Sequence, residues 1–481
     1  MSRLNLALPL VAVIGLGGLL ASLEACGSGS SGSSSPPPDF SRIKHVIVIV
    51  QENRTPDNLF HDPVLISRGV DIASTGVTST GQTIALTPVS LGIPYDFGHA
   101  HDSFLIGWNN GSMDGFDQDG VYCPEGQPNC APADAQYQYV QASDVQPYFT
   151  LAETYTFGDR MFQTNQGPSF PAHQYLISGT SAVCAPGGTC PSGTTSVYDV
   201  AEVPVNAGDT SGCIAAPDSY VLLIDTTNPN PNTNETQTAY PCFDHPTLTD
   251  LLDAQGINWK YYTPTAGSIW TGPVGIEHMC GPNNPPPNGT ECVAPEWTNH
   301  VVIPETTVLN DISAGQLAPV SWVIPRGQNS DHPAYGENNG GPSWVASIVN
   351  AIGTSQYWAD TAILITWDDW GGWYDHVPPE QIYNSYEYGF RVPLIVVSPY
   401  VKAAYTSHVV HDFGSILKFI ETVFNLPTVD PAAGYADSRA DNLADCFDFN
   451  QAPLTFQPIP APLDARYFLN DKSPPLPPDD D

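Results

Sequence analysis

From about Ile43 onward, strand-like runs alternate with stretches whose apolar residues recur at helical spacing. The first kind covers residues 45–50, 258–263, 320–324, 362–366 and 392–397. Several are apolar throughout, as strands are when both faces of their sheet are covered. The second kind covers residues 144–154, 247–255, 343–352 and 415–424, and His245-Pro246-Thr247 reads as a helix start. Strand and helix taking turns predicts an α/β fold, an α/β/α sandwich around a mainly parallel sheet. Residues 178–242 and 272–295 break the rhythm. They are rich in Gly, Pro, Asn and Cys and read as stapled surface insertions, not as further domains.

Two of the strand-like runs end in polar chemistry. HVIVIVQENRTPDNLF (45–60) passes into Glu52 and Asn53, and AILITWDDWGGWYDHV (362–377) passes into Asp368 and Asp369. In an open α/β sheet ligands bind at the carboxyl ends of the strands, so these two ends can share one cleft although they are far apart in sequence. Carboxylate and amide oxygens suit a hard or borderline cation, and adjacent carboxylates repel unless a cation or a proton relieves them. The plainer alternatives are a turn at Glu52-Asn53, braced by an Arg54–Asp57 ion pair, and an Asp368-Asp369 pair splayed into solvent or helix caps. Between the two strings lies NQGPSFPAHQYLISGTS (165–181), where Ser169 sits between Gly-Pro and Phe-Pro in a segment too rigid for a linker. Ser169 is either a turn residue or a nucleophile, and a nucleophile needs a base or a metal to activate it. The absence of Gly-x-Ser-x-Gly weighs against a hydrolase triad. His99 and His101 in DFGHAHDSF, and His332 in PVSWVIPRGQNSDHP, read singly as structural. As a set they suit phosphate oxygens or a leaving alkoxide.

Charge narrows the partners. Of 481 residues, 14 are basic and 50 acidic, a formal net charge of −36, which repels phosphate backbones and argues against nucleic-acid binding. Arg3 followed by the apolar run 6–20 reads as an export signal, too short for a membrane span. We read residues 1–26 as a signal peptide. Cys26, after Leu23-Glu24-Ala25, is open to lipid attachment or to cleavage by an ordinary signal peptidase. Residues 27–40 read as a flexible Gly/Ser/Pro linker, 41–470 as one catalytic domain and 471–481 as a disordered Pro/Asp-rich tail. The expected location is the periplasm, the outer membrane through a lipidated Cys26, or the medium; the oligomeric state is left open. Ten cysteines in an exported chain suggest disulfides. Short separations pair Cys123 with Cys130, Cys184 with Cys190, Cys213 with Cys242 and Cys280 with Cys292, leaving Cys446 over, and no Cys-x-x-Cys suggests zinc.

Taken in order, ENRTPDNLF, HAHDSF with SMDGF, QGPSFPAHQYLISGTS, VSWVIPRGQNSDHP, TWDDWGGWYDHV, YGFRVPLIVVSP and HDFGSILKFIE resemble the motifs of the bacterial phosphoesterase family. That family holds non-haemolytic-type phospholipases C and periplasmic acid phosphatases, and the likeness runs from about Ile43 to Phe449. It implies an alkaline-phosphatase-like core and a phosphoester hydrolase that uses one divalent or trivalent metal ion of unset identity. By position, Glu52, Asn53, Asp368 and Asp369 resemble metal ligands, and Ser169 resembles a nucleophile that also touches the metal and forms a phosphoserine. His101 and His332 resemble phosphate-binding or proton-transferring histidines. His300 is a looser candidate for substrate binding, and His376 and Asp57 are candidate supports behind the ligands. The expected substrate is a phosphomonoester or a phospholipid head group. Ser169, where phospholipase members tend to have Thr, leans toward the phosphatase branch. The chain departs from the family where Thr55 and Pro56 replace Ser and Phe, where Asp369 stands for a frequent Glu, and where Trp370 stands for His or Asn. A binding lipoprotein that kept the fold without turnover is the rival reading. A sulfatase is disfavoured by the missing Cys-x-Pro-x-Arg.

Overall fold

The computed structural model describes residues 39–208 and 210–476. The expected signal peptide, the Cys26 anchor, most of the linker and residues 477–481 of the tail lie outside the described residues. Eight strands form the central sheet: β1 (His45–Gln51), β2 (Thr156–Gly158), β3 (Trp259–Tyr262), β4 (Val301–Val302), β5 (Val320–Val323), β6 (Thr361–Trp367), β7 (Leu394–Val397) and β8 (Tyr405–Ser407). Their order is β4-β3-β5-β1-β6-β7-β2-β8. Every neighbouring pair is parallel except the two that β7 makes, with β6 and with β2. The mainly parallel sheet expected from sequence is therefore present, with one reversed strand.

Burial explains the unbroken apolar runs. Strand β6 is buried at every position and β1 at all but its first, which requires cover on both faces. The helices α1 (His101–Trp108), α2 (Ala142–Thr154), α3 (Ser169–Ser178), α4 (Leu248–Ala254), α5 (Thr307–Ala314), α6 (Gly340–Gly353) and α7 (Phe413–Phe424) supply much of that cover. The six after α1 sort into two packed groups, α2 and α5 with α6, and α4 and α7 with α3, as a three-layer α/β/α sandwich demands. Thr247 starts α4 as expected, through a capping box in which its hydroxyl accepts from Asp250 N–H and the Asp250 carboxylate accepts from Thr247 N–H.

The four disulfides pair as the spacings suggested, and Cys446 is a buried free thiol. Two sequence boundaries shift. Phe40, read as linker, is core: its ring meets Phe419, Phe447 and Phe449 edge-on. At the other end, residues 471–476 of the expected tail lie on the Arg326–Gln328 turn, with Arg326 Nη1 donating to Ser473 O and Gln328 Nε2 to Pro474 O. Among the described residues no helix is long and apolar enough to cross a membrane.

Candidate active site

Strand register brings the two polar strings together. In the parallel β1–β6 ladder Gln51 pairs with Trp367, so Glu52 and Asp368 step off the sheet side by side. Asp368 Oδ1 then accepts from the backbone N–H groups of Asn53 (3.0 Å) and Asp369 (2.8 Å). Its other oxygen, Oδ2, lies 3.7 Å from His173 Nε2, and Glu52 Oε1 lies 3.4 Å from the same nitrogen. Asn53 holds a left-handed backbone (φ 61°), a conformation that Asn tolerates better than most residues. Gly371 packs against it so closely that a Cβ there would stand 2.5 Å from Asn53 O.

His173 was not among the sequence candidates. Its tautomer follows from its neighbours. The Tyr261 hydroxyl donates to Trp270 O at 2.9 Å and accepts from Gly272 N–H at 3.2 Å. Toward His173 Nδ1, at 3.4 Å, it can only accept. Nδ1 thus carries the proton and Nε2 presents a lone pair to two carboxylates. Burial pushes the His173 pKa down to about 4, so the ring is neutral near pH 7. A similar argument turns Asn53: its Nδ2 donates to His99 Nε2 at 3.1 Å while His99 Nδ1 donates to Phe97 O at 2.9 Å. Asn53 Oδ1 is left over.

The result is a buried set of lone pairs. Glu52 Oε1 and Oε2, Asn53 Oδ1, Asp368 Oδ2 and His173 Nε2 have no hydrogen-bond partner, and no Lys or Arg pairs with Glu52, Asp368 or Asp369 among the described residues. Burial, then the Asp368 charge, drives the Glu52 carboxyl well above its usual range. The same causes push Asp369 up to about 8. Without a counter-ion the cluster holds protons near neutrality. Oxygen and imidazole donors that converge in this way fit a metal cation.

Ser169 stands beside this cluster as the first residue of α3, after Pro168 at the cap. Pro171 falls in the first helical turn, where its missing N–H leaves no gap in the ladder. The segment that looked like a rigid turn is a helix start. Ser169 Oγ donates to Asp369 Oδ2 at 3.1 Å. Asp369 Oδ1 is held in turn by Gly371 N–H at 2.8 Å. The free N–H groups of the first turn of α3 favour an anion at this point.

Two further histidines approach from the loops. His332 donates Nδ1–H to Pro333 O at 2.6 Å, with Asp96 Oδ2 3.5 Å away. Its loop is anchored by the preceding Asp331, whose Oδ2 accepts from Tyr148 Oη and Trp367 Nε1. His99 and His332 both stand close enough to Asp369 to offset part of its upward shift. His101, the first residue of α1, lines a cavity of about 790 Å³ with Gln166, Trp108 and Tyr383.

Three sequence readings are corrected. His300 stacks on Trp259 and donates to its carbonyl at 2.8 Å. Trp259 opens β3, so His300 lies at the opposite end of the strands from Glu52 and Asp368 and is no substrate ligand. Arg54 and Asp57 do not pair. Thr55 caps the helix Pro56–Leu59, its Oγ1 accepting from Asn58 N–H and donating to Tyr374 O. That turn sends Arg54 to Asp331 O and Leu91 O and Asp57 to His376 and Arg391. The departure at Thr55-Pro56 is thus a helix start, and Trp370 fills an apolar niche against Phe104 and Phe390.

His376 supports neither Asp368 nor Asp369 directly. It bridges Asp57 Oδ2 (2.7 Å) and Asp71 Oδ1 (3.0 Å), in a network where Asp375 accepts from Arg391. Burial disfavours its charged form, but the hydrogen bond and charge of Asp57 win and raise its pKa from 6.5 to about 8. A folded pKa raised this way gives stability that is complete below the unfolded value and lost as pH rises through the folded one. His376→Gln is expected to lower stability by on the order of 1–2 kcal/mol at pH 6. By about pH 9 most of that deficit should vanish, as checked by melting temperature against pH; a deficit that does not change with pH would contradict the charged pair.

The chain is similar to proteins of one enzyme family. Residues 43–427 match the Phosphoesterase family. Phospholipase C B of Mycobacterium tuberculosis is 23% identical over 488 residues, spanning 89% of this chain and 82% of that protein. Non-hemolytic phospholipase C of Pseudomonas aeruginosa is 23% identical over 492 residues, spanning 91% of this chain and 62% of the relative. Among solved structures, a protein in the alkaline phosphatase superfamily from Vibrio parahaemolyticus aligns with a TM-score of 0.34 and 13% identity, over 82% of this chain and 70% of that one. The family match takes in both strand ends, Ser169 and the loops that carry the histidines, and on it this chain belongs to the Phosphoesterase family and is a phosphoester hydrolase.

Proposed function

We propose that the protein is an exported, metal-dependent phosphoester hydrolase that acts through Ser169 on phosphomonoesters or phospholipid head groups. The observation that carries the reading is the convergence of unpartnered donor atoms from Glu52, Asn53, Asp368 and His173 beside the Ser169 hydroxyl. Glu52, Asn53, Asp368, Asp369 and Ser169 would hold one divalent or trivalent ion, with His173 as a further donor. Such an ion supplies positive charge that offsets phosphate oxygens and acidifies the serine hydroxyl.

The chain's own groups do the rest. Ser169 Oγ passes its proton toward Asp369 Oδ2 and attacks phosphorus in line, forming a phosphoserine. The first-turn N–H groups of α3 face the charge on the transferring group. His101 and His332 hold the non-bridging oxygens, and one of them protonates the leaving oxygen. Water then cleaves the phosphoserine. Positioning and charge stabilisation suffice for phosphoryl transfer. Export is supported by the N-terminal signal pattern and by four disulfides.

The test is an assay of the purified protein with an aryl phosphomonoester, an aryl phosphocholine diester and an aryl sulfate, before and after chelation and metal return. Turnover of at least one phosphoester, lost by about 10²-fold or more on chelation and restored by metal, is expected. The sulfate should remain uncleaved. Inactivity on both phosphoesters across pH would move the protein to the binding-lipoprotein class.

A further inference from the structure

The insertion 178–242 is more than stapled surface. Its three strands, Tyr198–Val200, Val221–Asp225 and Gln237–Ala239, form a separate sheet, tied by Cys184–Cys190 and Cys213–Cys242. Glu202 follows the first strand, and Glu235 lies in the turn between the other two. Both reach His101. Glu235 Oε2 is 3.0 Å from His101 Nδ1, and Glu202 Oε1 accepts the His101 backbone N–H at 3.0 Å. The second contact satisfies a donor at the first turn of α1 that the helix itself leaves open. The same hairpin contributes Thr226, Thr227, Pro229, Pro231 and Asn234 to the wall of the cavity that His101 lines.

This arrangement fixes one imidazole. The Glu235 carboxylate can only accept, so His101 Nδ1 carries the proton. His101 is buried, and its Nε2 has no protein partner. Glu202 is half-buried beside Glu235, and desolvation followed by that neighbour pushes its carboxyl well above the usual range. Charge on one of these two carboxyls disfavours charge on the other behind the ring. A ring held on one side by a carboxylate, with its other nitrogen left without a hydrogen-bond partner, has the geometry of an oriented acid–base histidine.

We propose that Glu235, backed by Glu202, is a positioning residue that holds His101, with its Nε2 unpartnered, as the acid for the leaving group. The inference rests on the phosphoester reading of the site above. As the bond between phosphorus and the leaving oxygen breaks, the Nε2 proton passes to that oxygen. The water that later cleaves the phosphoserine returns a proton to Nε2. Glu235 keeps the Nδ1 proton throughout and offsets the charge of the doubly protonated ring.

The test compares phenyl phosphate, whose leaving group needs a proton, with para-nitrophenyl phosphate, whose leaving group scarcely does. Glu235→Gln is expected to lower kcat/KM about tenfold or more for the first and about threefold or less for the second. Glu235→Asp should recover part of the loss on phenyl phosphate. In a His101→Asn background, Glu235→Gln should cost no more than about twofold on either substrate, because the two residues act as a unit. An equal fall on both substrates, or full additivity with His101→Asn, would mean that Glu235 serves only the fold and would overturn the proposal. If His101→Asn itself left both substrates at wild-type rates, the assignment of His101 would fail, and the proposal with it.

Discussion

Ser169→Ala is expected to reduce turnover of an aryl phosphate by about 10³-fold or more while leaving the folded protein and its response to metal in place. The hydroxyl is buried and donates to Asp369 Oδ2. Its removal takes a donor from a carboxylate but no volume that the helix start depends on. Melting temperature should move by only a few degrees, since a single neutral hydrogen bond contributes about 1 kcal/mol net. The donor atoms of Glu52, Asn53, Asp368 and His173 are untouched by the change, so added metal should still raise the melting temperature. Near-wild-type turnover in this variant would rule Ser169 out as nucleophile.

The second large effect runs in opposite directions for activity and stability. Asp368→Asn is expected to stabilise the chelated protein while removing its response to metal and about 10²-fold or more of its activity. An asparagine there can keep Oδ1 as the acceptor for the N–H groups of Asn53 and Asp369. Its Nδ2 replaces a carboxylate oxygen that has no partner, and turns two donors toward Glu52 Oε1 and His173 Nε2, also without partners. It also removes a charge that raises both Glu52 and Asp369. Relief of an unsatisfied buried group amounts to about 1–3 kcal/mol, a shift of a few degrees upward. In the wild type, a metal at a hundred times its dissociation constant adds about 2.7 kcal/mol. Thermal melts of both proteins, with chelator and with excess metal, check the crossover. An Asp368→Asn variant that melts lower than wild type in chelator and still responds to metal would contradict the site.

The long buried strands and the amphipathic helices were legible because their periods are unambiguous. The strand ends were legible too: Glu52 and Asp368 meet because Gln51 and Trp367 share a register. Edge strands of two or three residues, such as Val301–Val302 and Tyr405–Ser407, carry too little pattern to be seen. His173 was hidden by the misread start of α3. Once Ser169 opens a helix, residue 173 lies one turn on and on the same face, so the spacing Ser-x-x-x-His was the available signal. His300 and the Arg54–Asp57 pair failed for another reason. Residue type and nearness in sequence do not say which way a strand start or a helix cap sends a side chain. Glu202 and Glu235 were hidden in an insertion whose composition suggested only a surface.

The most direct test of the central claim is acid quenching during steady-state turnover of an aryl phosphate, followed by mapping of the phosphorylated peptide. The account predicts a phosphoryl group on Ser169 that accumulates while substrate lasts, disappears on its exhaustion and is absent in chelated protein. A phosphoryl group on a different residue, or turnover with no covalent phosphoprotein at all, would contradict it.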